Sequence, residues 1–444
     1  MPERATRAGE IPPRWAWVEP TVWTARMLDT LEAGVKGGKW YSLMDKVYSE
    51  ANLKSAYRQV ARNKGAAGVD HVSVKRFGRN VELELAKLRN DLKDGTYVPQ
   101  AIRRVLIPKP GRPGEHRPLG IPTVRDRVVQ TALRNVLEPI FEVGFAEHSY
   151  GFRPQRGAKD ALRRVWNLIQ TGHHFVVDAD LKSYFDTIPH APLLDLVRDR
   201  VTDGKVFDLL GRFLTQEVMT EAGGWTPTLG SPQGAVISPL LANVYLDPLD
   251  HTAESKGFEM VRYADDFVIL CRTEADACQA LEVVRAWTAQ AGLTLHPEKT
   301  RLVDLTAGGD FDFLGYNFAL KRKWLSKRSF TQFREKIRGL TPRLHGGSRR
   351  VILQRVNHAL RGWYEYFKQI NAWMLGRLDA WVRQRLRAIE WRRSKRHGYP
   401  TDMALKLWPN SFFEREALFS LSAAHRRDVQ SLHRVTPPTG EPCA

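Results

Sequence analysis

Apolar positions along the chain switch between two periods, and the switches outline its elements. Residues 77–95 repeat every three to four positions and end in the turn signal KDGTY, predicting a helix. The stretch YVPQAIRRVLIPKPGRPGEHRPLGIP alternates, turns through Gly and Pro and returns, predicting a β-hairpin with a basic tip. TVRDRVVQTALRNVLEPIFE predicts an amphipathic helix, and the β-branched run HHFVVDADL a buried strand. SPLLANVYLDPLD predicts a helix with Ser238 as N-cap and Pro239 at its first position. FEMVRYADDFVILCR reads as strand, turn, strand; residues 275–292 as helix; LTLHPEKTRLVDL as strand; FDFLGYNFAL as a short hairpin. From about Ser329 to Arg396 the period is helical, broken once at Gly346-Gly347. The segment after Tyr399 shows no strong pattern, and RVTPPTGEPCA has the composition of a disordered tail.

This order predicts an α+β region followed by an all-helical one. The 444 residues suffice for two or three domains. Charge sharpens the division. The net charge is +19, and between Lys321 and Arg396 there are 22 Lys and Arg against four acids, a net +18. Cations interleaved with aromatics are the footprint of nucleic-acid binding, and the prevalence of arginine suits phosphate forks and base stacking. A solvated helical surface or an anionic membrane contact is the competing explanation. Cys271, Cys278 and Cys443 are too few for a disulfide framework or a four-ligand zinc site. No apolar run reaches the ~18 residues of a membrane helix, so a cytoplasmic protein, in the bacterial cytoplasm or nucleoid, is expected.

The candidate chemistry lies in the carboxylates. In VVDADLKSYFD, Asp178 and Asp180 share one face of a strand and Val177 and Ala179 the other. Asp265 and Asp266 fall at the turn of the second hairpin. Taken alone, an Asp-Asp pair is also what a solvent-facing turn carries. Three carboxylates directed at one spot repel one another unless a divalent cation neutralises them. Oxygen-only ligands select Mg²⁺ or Mn²⁺. Two such ions ~3.5–4 Å apart form the clamp of in-line phosphoryl displacement.

YADD between apolar strands resembles the catalytic hairpin of reverse transcriptases. DADLKSYFDTIPH, GSPQGAVISPLLANVYLDPLD, LTLHPEKT and FLGYNF resemble the palm blocks of that family, in the family's order. NKGAAGVD, RPLGIPTVRDRVVQ and SYGFRPQRGAKDAL resemble the finger blocks of the reverse transcriptases encoded by group II introns, and NHALRGWYEYF resembles their maturase or thumb domain. The resemblance covers about residues 50–400. It implies a right-hand polymerase fold: an N-terminal extension (1–55), fingers (56–172), a palm with the catalytic aspartates (173–320), a helical thumb/maturase domain (321–400) and a partly disordered tail (401–444).

Position by position, the resemblance implies that Asp180, Asp265 and Asp266 bind two Mg²⁺ ions, or Mn²⁺. Phe185 matches the aromatic gate beneath the incoming sugar, where a ring excludes a 2′-hydroxyl. Gln233 matches a contact to the incoming nucleotide, and Gly234 beside it lets backbone approach the ligand. Lys109 and Arg117 match residues holding the triphosphate, and Lys299 the lysine that protonates departing pyrophosphate. FLGYNF resembles the element gripping the primer end. Arg361, Arg383, Arg385, Arg387, Arg392 and Arg393 are expected on RNA phosphates. Asp178 has no role in the resemblance and reads as a charge at a strand edge. The competing readings are core packing for Phe185, for the FLGYNF rings and for Trp363, Tyr364, Tyr366 and Phe367, and solvated surface for Lys109, Arg117 and Lys299.

The implied activity is RNA-directed DNA polymerisation, with an RNA template, a DNA primer and deoxynucleoside triphosphates as partners. A structured group II intron RNA, whose splicing and mobility the protein assists, and a target DNA complete the set; oligomeric state stays open. No paired cysteines and histidines follow the maturase-like region, so the endonuclease domain that many such proteins carry is expected to be absent. Two alternatives stay open: a splicing maturase without polymerase activity, and a host-adopted enzyme of defence or repair.

Overall fold

The alternating segments become eleven strands among the described residues: β1 (Ile102–Pro108), β2 (His116–Ile121), β3 (Phe175–Asp180), β4 (Val218–Thr220), β5 (Gly223–Trp225), β6 (Glu259–Tyr263), β7 (Asp266–Cys271), β8 (Arg301–Asp304), β9 (Phe311–Phe313), β10 (Tyr316–Ala319) and β11 (Arg322–Leu325). The computed structural model describes residues 11–34, 38–108, 114–220, 223–343, 346–396 and 402–435. Lys109, with the tip of the basic hairpin, and Cys443 lie outside the described residues. The chain divides into two units, residues 1–309 and 310–444. Among the described residues no helix is long and apolar enough to cross a membrane.

The first unit holds two four-stranded sheets, ordered β2-β1-β4-β5 and β6-β7-β3-β8. The basic hairpin forms as expected, with β1 and β2 antiparallel from Arg103↔Ile121 to Pro108↔His116. The helix Val124–Glu142 is not amphipathic in place: apolar and polar residues alike are buried around most of its circumference. Several of its interior polar groups are tied to neighbouring segments. Asp126 accepts from Tyr97 Oη at 2.6 Å and from Gln100 N at 3.1 Å, tying the helix start to the segment leading into β1. Gln130 Oε1 accepts from Val236 N at 2.7 Å. The helix expected over 77–95 is two, Val74–Arg79 and Val81–Asp94, broken at Asn80 where the backbone leaves helical geometry.

In the second unit β9, β10 and β11 form an antiparallel meander. The Leu314-Gly315 turn has φ of 48° and 81°, the two positive values that a tight two-residue hairpin loop requires. Helices Lys327–Leu340, Arg349–Phe367 and Ala372–Arg393 follow. Besides the break before Ser348, helix stops at Lys368 and restarts after Asn371, whose side chain caps Trp373 N. The segment after Tyr399, patternless in sequence, instead carries helices Asp402–Leu407, Asn410–Arg415 and Leu421–Val435. The last of them has a local cap, Ser420 Oγ accepting from Ala423 N at 3.2 Å, and a buried acid on another helix holds the same end. Asp379 accepts from Leu421 N at 2.8 Å, Ser422 N at 3.0 Å, and the Ser420 and Ser422 hydroxyls at 2.8 and 2.7 Å, capping the last helix from outside its own sequence.

Candidate active site

Strand alternation places the first two acids. On β3, Val177 and Ala179 are buried while Asp178 and Asp180 are half-buried on the opposite face. β3 pairs antiparallel with β7 so that Asp180 stands opposite Asp266. β6 and β7 close through Ala264-Asp265, which sets Asp265 on the turn beside that pair. The register thus places three aspartates at one end of two central strands.

The charges are uncomfortable there. Burial pushes Asp266 up to about 7, and the carboxylates of Asp178, Asp180 and Asp265 add to the rise. Asp265 is also raised, by burial first and by Asp180, while Arg117 and Lys299 pull the other way. Lys299 Nζ donates to Asp180 Oδ2, and His296 N donates to the Asp180 carbonyl at 2.8 Å, holding the lysine's loop on the strand end. Arg301 Nε meets Asp178 Oδ2 at 3.2 Å. Among the described residues no three acidic, imidazole or thiol side chains converge as a ready-made ligand shell. The donor set still fits hard divalent cations: all-oxygen ligands on adjacent strands, with a repulsion that a cation would relieve.

These shifts carry a pH signature. The folded value of about 7 for Asp266 lies above its ordinary 3.8, so between them the folded state binds more protons than the unfolded one. The stability of metal-free protein therefore falls as pH rises through that window. Thermal unfolding of metal-free wild type should weaken from pH 4 to pH 7, Asp266→Asn should lose most of that slope, and Mg²⁺ should restore stability near pH 7. Equal slopes in the two proteins would refute the assignment.

Beneath the turn lies a network that motif matching does not reveal. Arg262 is fully buried and Asp250 is 4% exposed. Arg262 Nε donates to both Asp250 oxygens at 2.8 and 3.0 Å, and Nη2 to Oδ2 at 2.5 Å. Arg262 Nη1 donates to Asn243 Oδ1 at 3.0 Å and to the Ala264 carbonyl at 2.9 Å. Asn243 Nδ2 reaches the Gly151 carbonyl at 2.8 Å. Ala264 sits at φ 61°, a left-handed geometry costing an L-residue about 1–2 kcal/mol. Gly151 packs so closely that a Cβ there would strike the Tyr263–Ala264 backbone. The one available signal was Asn243 and Asp250 seven apart, two turns along one face of a mostly apolar helix.

A second cluster lies on the loop 230–234. Ser231 N donates to the Phe185 carbonyl at 2.7 Å, and Gly120 N to the Gln233 carbonyl at 2.6 Å. A Cβ on Gly234 would strike the Gly120 carbonyl, so this glycine serves close backbone approach. Phe185 and Gln233 line one cavity of about 310 Å³ with Arg104, Pro118, Gly120 and Trp225. Ser238 is not the N-cap expected of it. Ile237 takes that position, and Ser238 Oγ accepts from Ser231 Oγ at 2.6 Å and donates to the Pro232 carbonyl at 2.9 Å, bracing the loop.

In the second unit the rings of Phe313, Tyr316 and Phe318 are buried, which is the core reading of FLGYNF. Tyr364 is buried, Tyr366 Oη donates to the Leu314 carbonyl at 2.9 Å, and Trp363 packs 4.6 Å from the Phe333 ring. Two of the expected RNA-contacting arginines bond within the protein, Arg387 buried and Arg385 half-buried. Arg387 is buried, donating to Trp408 O and Asn410 Oδ1, both at 2.8 Å. Arg385 donates to the Thr341 carbonyl at 2.5 Å. A guanidinium's five donors can close gaps in the backbone as readily as they bind phosphate. Arg383 is half-buried, Arg393 is paired with Glu390 at 3.4 Å, and Arg361 and Arg392 are exposed.

The family described as Reverse transcriptase (RNA-dependent DNA polymerase) matches residues 107–318. The Group II intron, maturase-specific domain matches residues 330–408. Protein YkfC of Escherichia coli (strain K12) is 33% identical over 311 residues, 61% of this chain and 81% of that protein. Group II intron-encoded protein LtrA of Lactococcus lactis subsp. cremoris is 38% identical over 195 residues, 44% of this chain and 32% of LtrA. The putative COX1/OXI3 intron 2 protein of Saccharomyces cerevisiae is 34% identical over 205 residues, 46% of this chain and 24% of that protein. The chain spans about a third or less of the length of LtrA and of the COX1/OXI3 intron 2 protein. With its carboxylate-bearing hairpin inside the first match and the helices Arg349–Phe367 and Ala372–Arg393 inside the second, the chain belongs to the RNA-dependent DNA polymerases of the group II intron type, reverse transcriptases that carry a maturase-specific domain.

Proposed function

We propose that the protein extends a DNA primer on an RNA template and also binds a structured group II intron RNA, assisting its splicing and mobility. The observation that carries the polymerase reading is Asp180 opposite Asp266 across paired strands with Asp265 on the adjoining turn. We assign fingers to 56–172, palm to 173–320 and thumb/maturase to 321–400, in a cytoplasmic enzyme that meets nucleic acid directly. Templated extension of a DNA primer on RNA, read by product length and sequence, tests it.

In this reading Asp180, Asp265 and Asp266 hold two Mg²⁺ ions. When bound, the ions supply charge neutralisation and a more acidic primer hydroxyl. The primer 3′-hydroxyl attacks the α-phosphate of a deoxynucleoside triphosphate, and pyrophosphate leaves. Arg117 on β2, together with Lys109, binds the triphosphate and stabilises charge on the leaving group. Lys299 Nζ gives up its partner Asp180 and carries a proton for pyrophosphate. Gln233 orients the nucleotide on the loop that Ser238 braces. The intron partner rests on the maturase-specific match and the +18 helical segment, with target DNA as the final acceptor.

Phe185 is the sugar gate in this account. Its carbonyl is fixed by Ser231 N, so the backbone at this position is held independently of the ring. Phe185→Ala should incorporate ribonucleotides at least about ten-fold better relative to deoxynucleotides, the scale of a lost packing contact in a specificity pocket. Single-nucleotide incorporation reads the ratio directly. Unchanged discrimination would remove Phe185 as the gate.

A further inference from the structure

Of the thirteen tryptophans, Trp15, Trp23 and Trp391 are buried, seven are half-buried, and Trp225, Trp324 and Trp373 are exposed. Trp324 and Trp373 are 37% and 56% exposed. They are also neighbours, with ring centres 6.3 Å apart and planes inclined at 53°. Trp324 is on β11, and Trp373 is the second residue of the helix Ala372–Arg393. Leaving two adjoining indoles in water forgoes the burial that drives folding.

Each indole carries its own cation. The Arg322 guanidinium lies 5.1 Å from the Trp324 ring centre, and that of Arg377 4.9 Å from Trp373. Arg322 precedes Trp324 by two strand positions and Arg377 follows Trp373 by one helical turn, so each pair shares a face. Both arginines and Lys321 are exposed. No acid occurs from Lys321 to Arg334 or from Tyr366 to Leu378. On the sheet side, Asp310 and Asp312 accept from Asn317 Nδ2 at 2.8 and 2.9 Å and bound the patch.

We propose that Trp324 and Trp373, with Arg322 and Arg377, form a stacking platform for unpaired bases of single-stranded RNA. Ring faces and guanidinium planes are what a splayed base stacks on, while the cations hold the strand's phosphates. A protein partner of comparable fit would need acids matched to every cation and an apolar insert between them. A regular duplex offers no free base faces. The platform rests on the nucleic-acid reading above, and it is distinct from the internal rings of the helix Arg349–Phe367.

The test is equilibrium binding of the full chain to three labelled RNAs: an unstructured oligoadenylate, the same backbone with abasic positions, and a blunt duplex. Trp324→Ala/Trp373→Ala should bind oligoadenylate roughly ten-fold more weakly, with abasic and duplex affinities little changed. Trp324→Phe/Trp373→Phe, which keeps the ring faces, should fall between. Arg322→Ala/Arg377→Ala should instead flatten the salt dependence on all three. Equal loss on all three RNAs in the tryptophan variant, or no loss on any, overturns the platform. So does unchanged oligoadenylate affinity with lost binding to phosphatidylserine vesicles, which would make the patch a membrane contact. Wild type that binds none of the RNAs would reject the nucleic-acid reading itself, whereas wild type that binds with indifferent variants rejects the platform alone.

Discussion

Asp265→Ala/Asp266→Ala should abolish primer extension, by more than about a thousand-fold, while leaving RNA affinity nearly unchanged. The size follows from removing preorganised electrostatic groups at the reacting centre, where even one lost stabiliser costs about 10²–10³. The separation follows from position: both acids stand at the end of β7 and its turn, whereas the cationic excess lies in residues 321–396. The metal-free variant should also unfold at a higher temperature than metal-free wild type at pH 7. Asp266 is penalised there by burial and by Asp178, Asp180 and Asp265, and truncating it relieves that penalty. Added Mg²⁺ should stabilise wild type and do little for the variant. Loss of extension and RNA affinity together, with a lower unfolding temperature, would make these residues structural.

Asp250→Ala should destabilise the first unit by about 3–5 kcal/mol, the cost of stranding one member of a buried ion pair. The Arg262 guanidinium has Asp250, Asn243 and one carbonyl as its partners in the buried cluster, and the residue is 0% exposed. The double variant Arg262→Met/Asp250→Leu removes both charges, so its stability should recover much of the loss. Its extension activity should not recover, because the side-chain tether from Arg262 to the Ala264 carbonyl, which pins the left-handed turn that carries Asp265, is gone. Denaturant unfolding and single-turnover extension, measured together, separate the two effects. A double variant as active as wild type would show that the turn needs no tether.

Local pattern carried much of the fold because the core strands obey it. HHFVVDADL and FEMVRYADDFVILCR alternate or run apolar as buried strands must, and their pairing put the aspartates together. Legibility failed where a partner distant in sequence decides. The helix Val124–Glu142 reads as amphipathic because Asp126, Gln130 and Asn135 look like a polar face; each is in fact buried. The helix Leu421–Val435 has a local cap in Ser420, on Ala423 N at 3.2 Å, but its first turn also rests on Asp379, 42 residues earlier, which no local pattern shows. Arg385 and Arg387 look like RNA contacts in a basic run, yet their donors close backbone gaps within their own unit. For the site, the aspartates, Phe185 and Gln233 were legible as motifs. Arg262, Asp250, Asn243 and Ser238 were not, since supporting residues share no spacing rule with what they support.

The most direct test of the central claim is extension of a 5′-labelled DNA primer on a defined RNA template by the purified full chain, with Mg²⁺ and all four deoxynucleoside triphosphates. The account predicts product that reaches the template end, is complementary to it, and stops early when one nucleotide is withheld. Tight binding of the primer–template with no extension in Mg²⁺ or Mn²⁺ would contradict it and leave a maturase that does not polymerise.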